Sequence, residues 1–242
     1  MAPDALLIVR HGESAGNVAR DLAEAAGQHM IDIATRDMDV PLSELGCQQA
    51  RALGRWIAQQ DDRPTAVIAS PYVRAMQTAE LALEAAGLDC RLCLDERLRE
   101  REFGILDLLT RRGIEAQFPE EAQRRRRLGK FYHRPPGGES WVDVALRMRS
   151  LRDSIAREHF DDRVMLVTHE VVIVMWRYLL DSLDEHQALQ LSREHPIANC
   201  SLTRYRTGPD DLLHLDLDAW TAPLETDAVP VTAEHDAPVA PR

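Results

Sequence analysis

Apolar residues along this chain follow two periods. Short aliphatic runs at 5–9, 65–69, 91–94 and 163–167 read as buried strands, and 199–206 and 212–217 as late strands. Between them the period lengthens to that of a helix. Residues 18–26 have helical composition. Leu45, Ala50, Leu53, Trp56 and Ile57 form one stripe of a helix that Ser43 opens as N-cap and that runs to about 60. Helices are also predicted over 73–86, 111–127 and 140–159, whereas 27–40 is irregular and of mixed charge. The β-branched run at 171–175 reads as strand on propensity alone. Strands alternating with helices predict an α/β fold: a three-layer α/β/α sandwich around a mostly parallel sheet.

Composition narrows this picture. With 242 residues, 45% of them hydrophobic, the chain can bury a large core. The formal charge of −11 argues against a nucleic-acid partner. The most apolar stretch, 164–180, is interrupted by His169, Glu170 and Arg177, so no membrane span is expected. No basic segment opens the chain, no signal peptide is expected, and a cytoplasmic protein is the reading. Cys90 and Cys93 have no second Cys/His pair at zinc spacing, and the four cysteines are expected to be plain buried thiols. After Trp220, Pro223, Pro230, Pro238 and Pro241 fall among Thr, Ala, Asp and Glu. Residues 221–242 are therefore expected to be a disordered acidic tail behind one domain spanning 1–220.

Three of the predicted strands end in chemistry. The first runs into Arg10-His11-Gly12-Glu13-Ser14, with Asn17 after it. The second runs into Ser70-Pro71-Tyr72-Val73-Arg74-Ala75-Met76-Gln77-Thr78-Ala79, and the fourth into Thr168-His169. Open α/β sheets keep their ligand sites at the carboxyl ends of strands. Phosphoryl transfer through a covalent intermediate needs a nucleophile, cations for the equatorial oxygens and a proton donor for the leaving oxygen.

These segments resemble the signature of the histidine phosphatase superfamily, which includes the cofactor-dependent phosphoglycerate mutases and fructose-2,6-bisphosphatase. The Ser70 segment resembles the family's Ser-Pro-x-x-Arg-Ala-x-Gln-Thr-Ala at every motif position, and the motifs span 5–206 in family order. The resemblance implies that His11 is the nucleophile. Arg10, Arg74, His169 and Asn17 would hold the phosphoryl oxygens, with Ser14 beside them. Leu98-Arg99-Glu100-Arg101-Glu102-Phe103-Gly104 resembles the family's Leu-x-Glu-x-x-x-Gly segment. Glu100 then takes the place of the general acid and later base. Glu102 shares its face in an extended segment, so alternation does not separate the two, and motif position selects Glu100. The resemblance also makes 171–175 a helix.

Departures from the family pattern matter as well. Glu170 stands where the family often has Gly, and a close carboxylate would raise the pKa of His169. Arg36-Asp37 stands where Gln-Gly is common. Residues 105–138 form a helical cap insertion over the implied site. Arg126, Lys130, Tyr132 and Arg134 match basic and aromatic positions of fructose-2,6-bisphosphatase-like members, where some bind a second phosphate.

The reading that follows is a metal-independent phosphomonoester hydrolase without a cofactor. It would act through a phosphohistidine on a small phosphorylated metabolite, such as a sugar phosphate or a phosphoglycerate-type compound. The alternatives are a phosphoglycerate mutase-like phosphotransferase, a phosphoprotein phosphatase and a non-catalytic phospholigand sensor. A homodimer is a possible assembly.

Overall fold

Strand β1 (Ala5–Arg10) shows how the layers arise. Its alternate side chains enter two different cores: Leu6 and Ile8 on one face, Ala5, Leu7 and Val9 on the other. A strand buried on both faces must be aliphatic throughout, as this one is. The computed structural model describes residues 2–233. In chain order the elements are β1, α1 (Ala15–Ala25), α2 (Glu44–Ala58), β2 (Ala66–Ala69), α3 (Val73–Ala86), β3 (Leu92–Leu94), α4 (Arg111–Gln117), α5 (Pro119–Leu128), α6 (Trp141–Glu158), β4 (Arg163–Thr168), α7 (Glu170–Leu180), α8 (Glu185–Glu194), β5 (Leu202–Thr207), β6 (Leu213–Trp220) and α9 (Ala222–Thr226).

Among the described residues the strands form one six-stranded sheet in the order β3-β2-β4-β1-β5-β6. The first four strands run parallel; β5 and β6 join antiparallel. Helices α2 and α3 cover one face, burying Leu53, Ile57, Ala75, Ala79 and Ala82 against Val67, Met165 and Val167. Helices α6 and α7 cover the other, burying Trp141, Val144, Met148, Val172, Ile173 and Trp176 against Val164 and Leu166. The three-layer sandwich is as the periodicity implies, and 171–175 is helix, as the family resemblance implies. Its neighbours settle that choice: Val172, Ile173, Val174 and Met175 are all fully buried, which packing rewards more than β propensity penalises.

Three expectations need correction. The helix predicted over 111–127 is two helices. Pro119 opens α5 and disfavours helical backbone at Phe118, which stands at φ −132°, ψ 57°. The cysteines are not uniformly buried: Cys200 is, Cys47 and Cys90 are half-buried, and Cys93 is exposed because β3 is the edge strand. The segment after Trp220 is in part ordered: α9 buries Pro223 and Leu224, and Leu224 packs with Leu42, Ala50 and Cys200. The remainder of the expected tail, 234–242, lies outside the described residues. Helix α8 follows from no apolar stripe in the sequence; an Asp184–Gln187 capping box starts it. Among the described residues no helix is long and apolar enough to cross a membrane.

Candidate active site

The strands that end in Arg10-His11, Ser70 and Thr168-His169 are β1, β2 and β4, which lie side by side in the order β2-β4-β1. The parallel ladder continues past their ends: the His11 amide donates to Thr168 O at 2.9 Å and the Ser70 amide to Val167 O at 2.9 Å. Three motifs far apart in sequence are thus delivered to one sheet edge by backbone register alone.

His11 and His169 meet with ring centroids 5.0 Å apart, and both are buried. His11 Nδ1 lies 2.7 Å from Gly12 O. A carbonyl only accepts, so Nδ1 carries the proton and Nε2 keeps its lone pair. Burial, then Arg74 and Arg10, hold the imidazole well below its usual 6.5, which favours the neutral ring. His169 Nε2 lies 2.8 Å from Ser70 Oγ, while its buried Nδ1 has no hydrogen-bond partner in the structure. Ser70 Oγ also accepts from the Tyr72 amide at 3.3 Å.

The expected effect of Glu170 on His169 does not hold. Burial, then Arg74, His11 and Arg147, push the His169 pKa well below 6.5. Glu170 instead faces Arg10, with Oε2 3.6 Å from Nη1. Arg10 itself is buried and donates to Ile197 O at 2.5 Å. Arg74 is buried in the first turn of α3, 4.9 Å over the Tyr72 ring, and its guanidinium holds Asp37.

Glu100 is half-buried and its Oε1 accepts the Arg101 amide at 2.7 Å. Burial raises its pKa above the usual 4.5 against the pull of that amide and of Arg74. Glu102 is exposed and accepts the Gly104 amide at 3.2 Å. The structure therefore separates two carboxylates that alternation left equivalent, and places Glu100 within the field of Arg74 and Arg147.

Ser14 and Asn17 form a capping box at α1: Asn17 N donates to Ser14 Oγ at 3.1 Å and Ser14 N to Asn17 Oδ1 at 2.8 Å. With Oδ1 engaged, the amide nitrogen of Asn17 is the end that can meet an anion. The cap residues are placed differently. Lys130 lies 4.8 Å over the Trp141 ring and bonds Ser192; Tyr132 bonds Glu185; Arg134 grips Asp143; Arg126 is exposed on α5. Lys130, Tyr132 and Arg134 are thus engaged by residues of α6 and α8.

Sequence reasoning missed several supports. A Cβ on Gly12 would stand 2.6 Å from Gly46 O, and one on Gly46 2.0 Å from Glu13 O; the His11 loop and the start of α2 touch backbone to backbone. Glu139 receives Arg99 and Arg147 on its carboxylate and the Glu102 amide at 3.1 Å, fixing the segment that carries Glu100. Gln49 accepts the Glu13 amide at 2.8 Å and donates to Pro230 O and Thr232 Oγ1. Asn199 donates to His11 O at 3.0 Å, and its own carbonyl oxygen and amide are held by Thr232. The segment after α9 therefore straps the loop that carries His11. Among the described residues no three His, Cys, Asp or Glu side chains cluster as metal ligands.

The model of the histidine phosphatase superfamily (branch 1) matches residues 6–217. The chain is 31% identical to a protein of Yersinia enterocolitica named "Probable phosphoglycerate mutase GpmB", over 88% of this chain and 96% of that one. It is 30% identical to a mycobacterial glucosyl-3-phosphoglycerate phosphatase solved with VO3, with a TM-score of 0.68 over 90% of this chain and 99% of the other. Bacillus stearothermophilus YhfR shares the fold at 24% identity and a TM-score of 0.70, over 91% and 98% of the two chains. The chain belongs to the histidine phosphatase superfamily.

Proposed function

We propose that this chain is a phosphomonoester hydrolase that works through a phosphohistidine on a small phosphorylated metabolite. The observation that carries the reading is the state of His11: Nδ1 is committed to Gly12 O, and the lone pair on Nε2 lies in a buried site shared with His169, Arg10 and Arg74. In the proposed reaction Nε2 attacks phosphorus in line with the leaving oxygen. Arg10, Arg74, Asn17 and His169 take the equatorial oxygens, and the P–O bond to the alcohol breaks as the phosphorus–nitrogen bond forms. Glu100 gives its proton to the departing alkoxide. In the second step Glu100 takes a proton from water, whose oxygen displaces Nε2 and releases inorganic phosphate. The side chains supply the nucleophile, the cations and the acid.

The likeness to a glucosyl-3-phosphoglycerate phosphatase favours hydrolysis and a phosphoglycerate-type or sugar-phosphate substrate. The name of the Yersinia relative favours a second reading, a phosphoglycerate mutase, in which the same phosphohistidine returns its group to an alcohol. Phosphate release from an aryl phosphate in EDTA tests the proposal. Wild type is expected to turn over, and His11→Ala to lose at least about 10³-fold in kcat/KM. A strict need for a divalent ion, or an active His11→Ala, overturns it. Transfer to 2- or 3-phosphoglycerate without net phosphate release supports the mutase.

A further inference from the structure

The two places where the sequence departs from the family pattern, Asp37 and Glu170, are the two places where a carboxylate meets a guanidinium of the site. Arg74 Nη1 donates to Asp37 Oδ1 at 3.1 Å and to Asp37 O at 2.6 Å, and Nη2 donates to Oδ2 at 3.2 Å. This is the two-point arrangement with which arginine holds carboxylates and phosphates. It occupies the end of the guanidinium that carries both terminal nitrogens. Arg74 is buried, whereas the Asp37 side chain is 37% exposed and sits on a single 3-10 turn, Asp37–Asp39, that has no side-chain cap. The arginine is the fixed partner and the carboxylate the displaceable one. Glu170 stands against Arg10 more loosely, at 3.6 Å.

We infer that Asp37 is an affinity-setting residue: its carboxylate competes with phosphoryl oxygens for Arg74 and keeps the affinity for free phosphate low. The inference rests on the proposed phosphoryl site and adds to it a control on product release. A phosphoryl dianion entering the site either displaces Asp37 or shares one cation with it. Both cost binding, because two anions then compete for a charge that one already neutralises. A hydrolase gains from this, since inorganic phosphate leaves the site more readily than from an uncountered pair of arginines. A second anionic group on the substrate would meet the same carboxylate if it lay toward the 27–40 segment.

Calorimetric titration with inorganic phosphate, in EDTA, on wild type, Asp37→Asn and Asp37→Ala tests the inference, with aryl phosphate kinetics alongside. The expected result is phosphate binding about tenfold tighter in both variants, a matching fall in KM, and competitive inhibition by phosphate at correspondingly lower concentration. Unchanged binding overturns it and makes the ion pair merely structural. Weaker binding overturns it in the other direction and makes Asp37 a positioning residue for Arg74. If no variant and no wild-type sample binds phosphate or hydrolyses the ester, the phosphoryl-site reading itself falls, and the inference with it.

Discussion

His11 and His169 are both buried and both have one ring nitrogen engaged, but the partners differ, and so do the roles that the partners permit. A carbonyl on Nδ1 makes Nε2 of His11 a base, whereas Nε2 of His169 meets a hydroxyl, which can donate or accept. Both rings are held well below 6.5, so protonation disables His11 only at more acidic pH than for a free imidazole. Glu100 works as an acid while protonated, and burial raises its pKa above 4.5. The acid limb of kcat/KM, where His11 gains its proton, is therefore expected below pH 6.5, and the limb where Glu100 loses its proton above pH 4.5. Glu100→Gln should abolish the upper limb. It should cost about 10²–10⁴-fold with alkyl phosphates and much less with an aryl phosphate, whose leaving group needs no proton. A pH profile of both substrates reads this out, and equal losses on the two would remove Glu100 from the acid role. These residues were legible because each motif carries its chemistry in residue type. Glu100 against Glu102 was legible only through motif position, because both point the same way in an extended segment; in the structure burial distinguishes them as well.

Elements explain why the site is preorganised. Strands β1, β2 and β4 were legible from aliphatic runs, and α2, α3 and α6 from their stripes, since all six bury continuous apolar faces. Elements with polar or short apolar faces were not: α8 starts from a capping box, and α9 buries only Pro223 and Leu224. The strap that follows α9 was illegible for the same reason. Its hold on the site is hydrogen bonding, from Gln49 and Asn199 to Pro230 and Thr232, and such contacts leave no period in sequence. Thr232→Val removes the hydroxyl shared by Gln49 and Asn199 and is expected to cost about 1 kcal/mol of stability. A chain ending at 228 loses all these contacts and should lose several-fold in kcat/KM while its far-ultraviolet circular dichroism stays native. Full activity in that shorter chain would show that the His11 loop holds itself.

The whole molecule carries a net charge of −11, yet it concentrates Arg10, Arg74 and two histidines at the carboxyl ends of its three central strands. Topology does this: adjacent parallel strands place three sequence-distant termini within one site, and antiparallel β5 brings Asn199 back to the His11 carbonyl. Lys130, Tyr132 and Arg134 lie outside this set of strand ends and are held by residues of α6 and α8. The central claim is a covalent phosphohistidine, and it is tested most directly by rapid quench into base. Wild type is mixed with a fast aryl phosphate in EDTA, and the phosphorylated residue is then identified by peptide mass spectrometry. The account predicts one phosphoryl group on His11, absent from His11→Ala and chased by added water-competing alcohol or by time. Turnover with no phosphoenzyme at any quench time, or a phosphoryl group on a different residue, would contradict it.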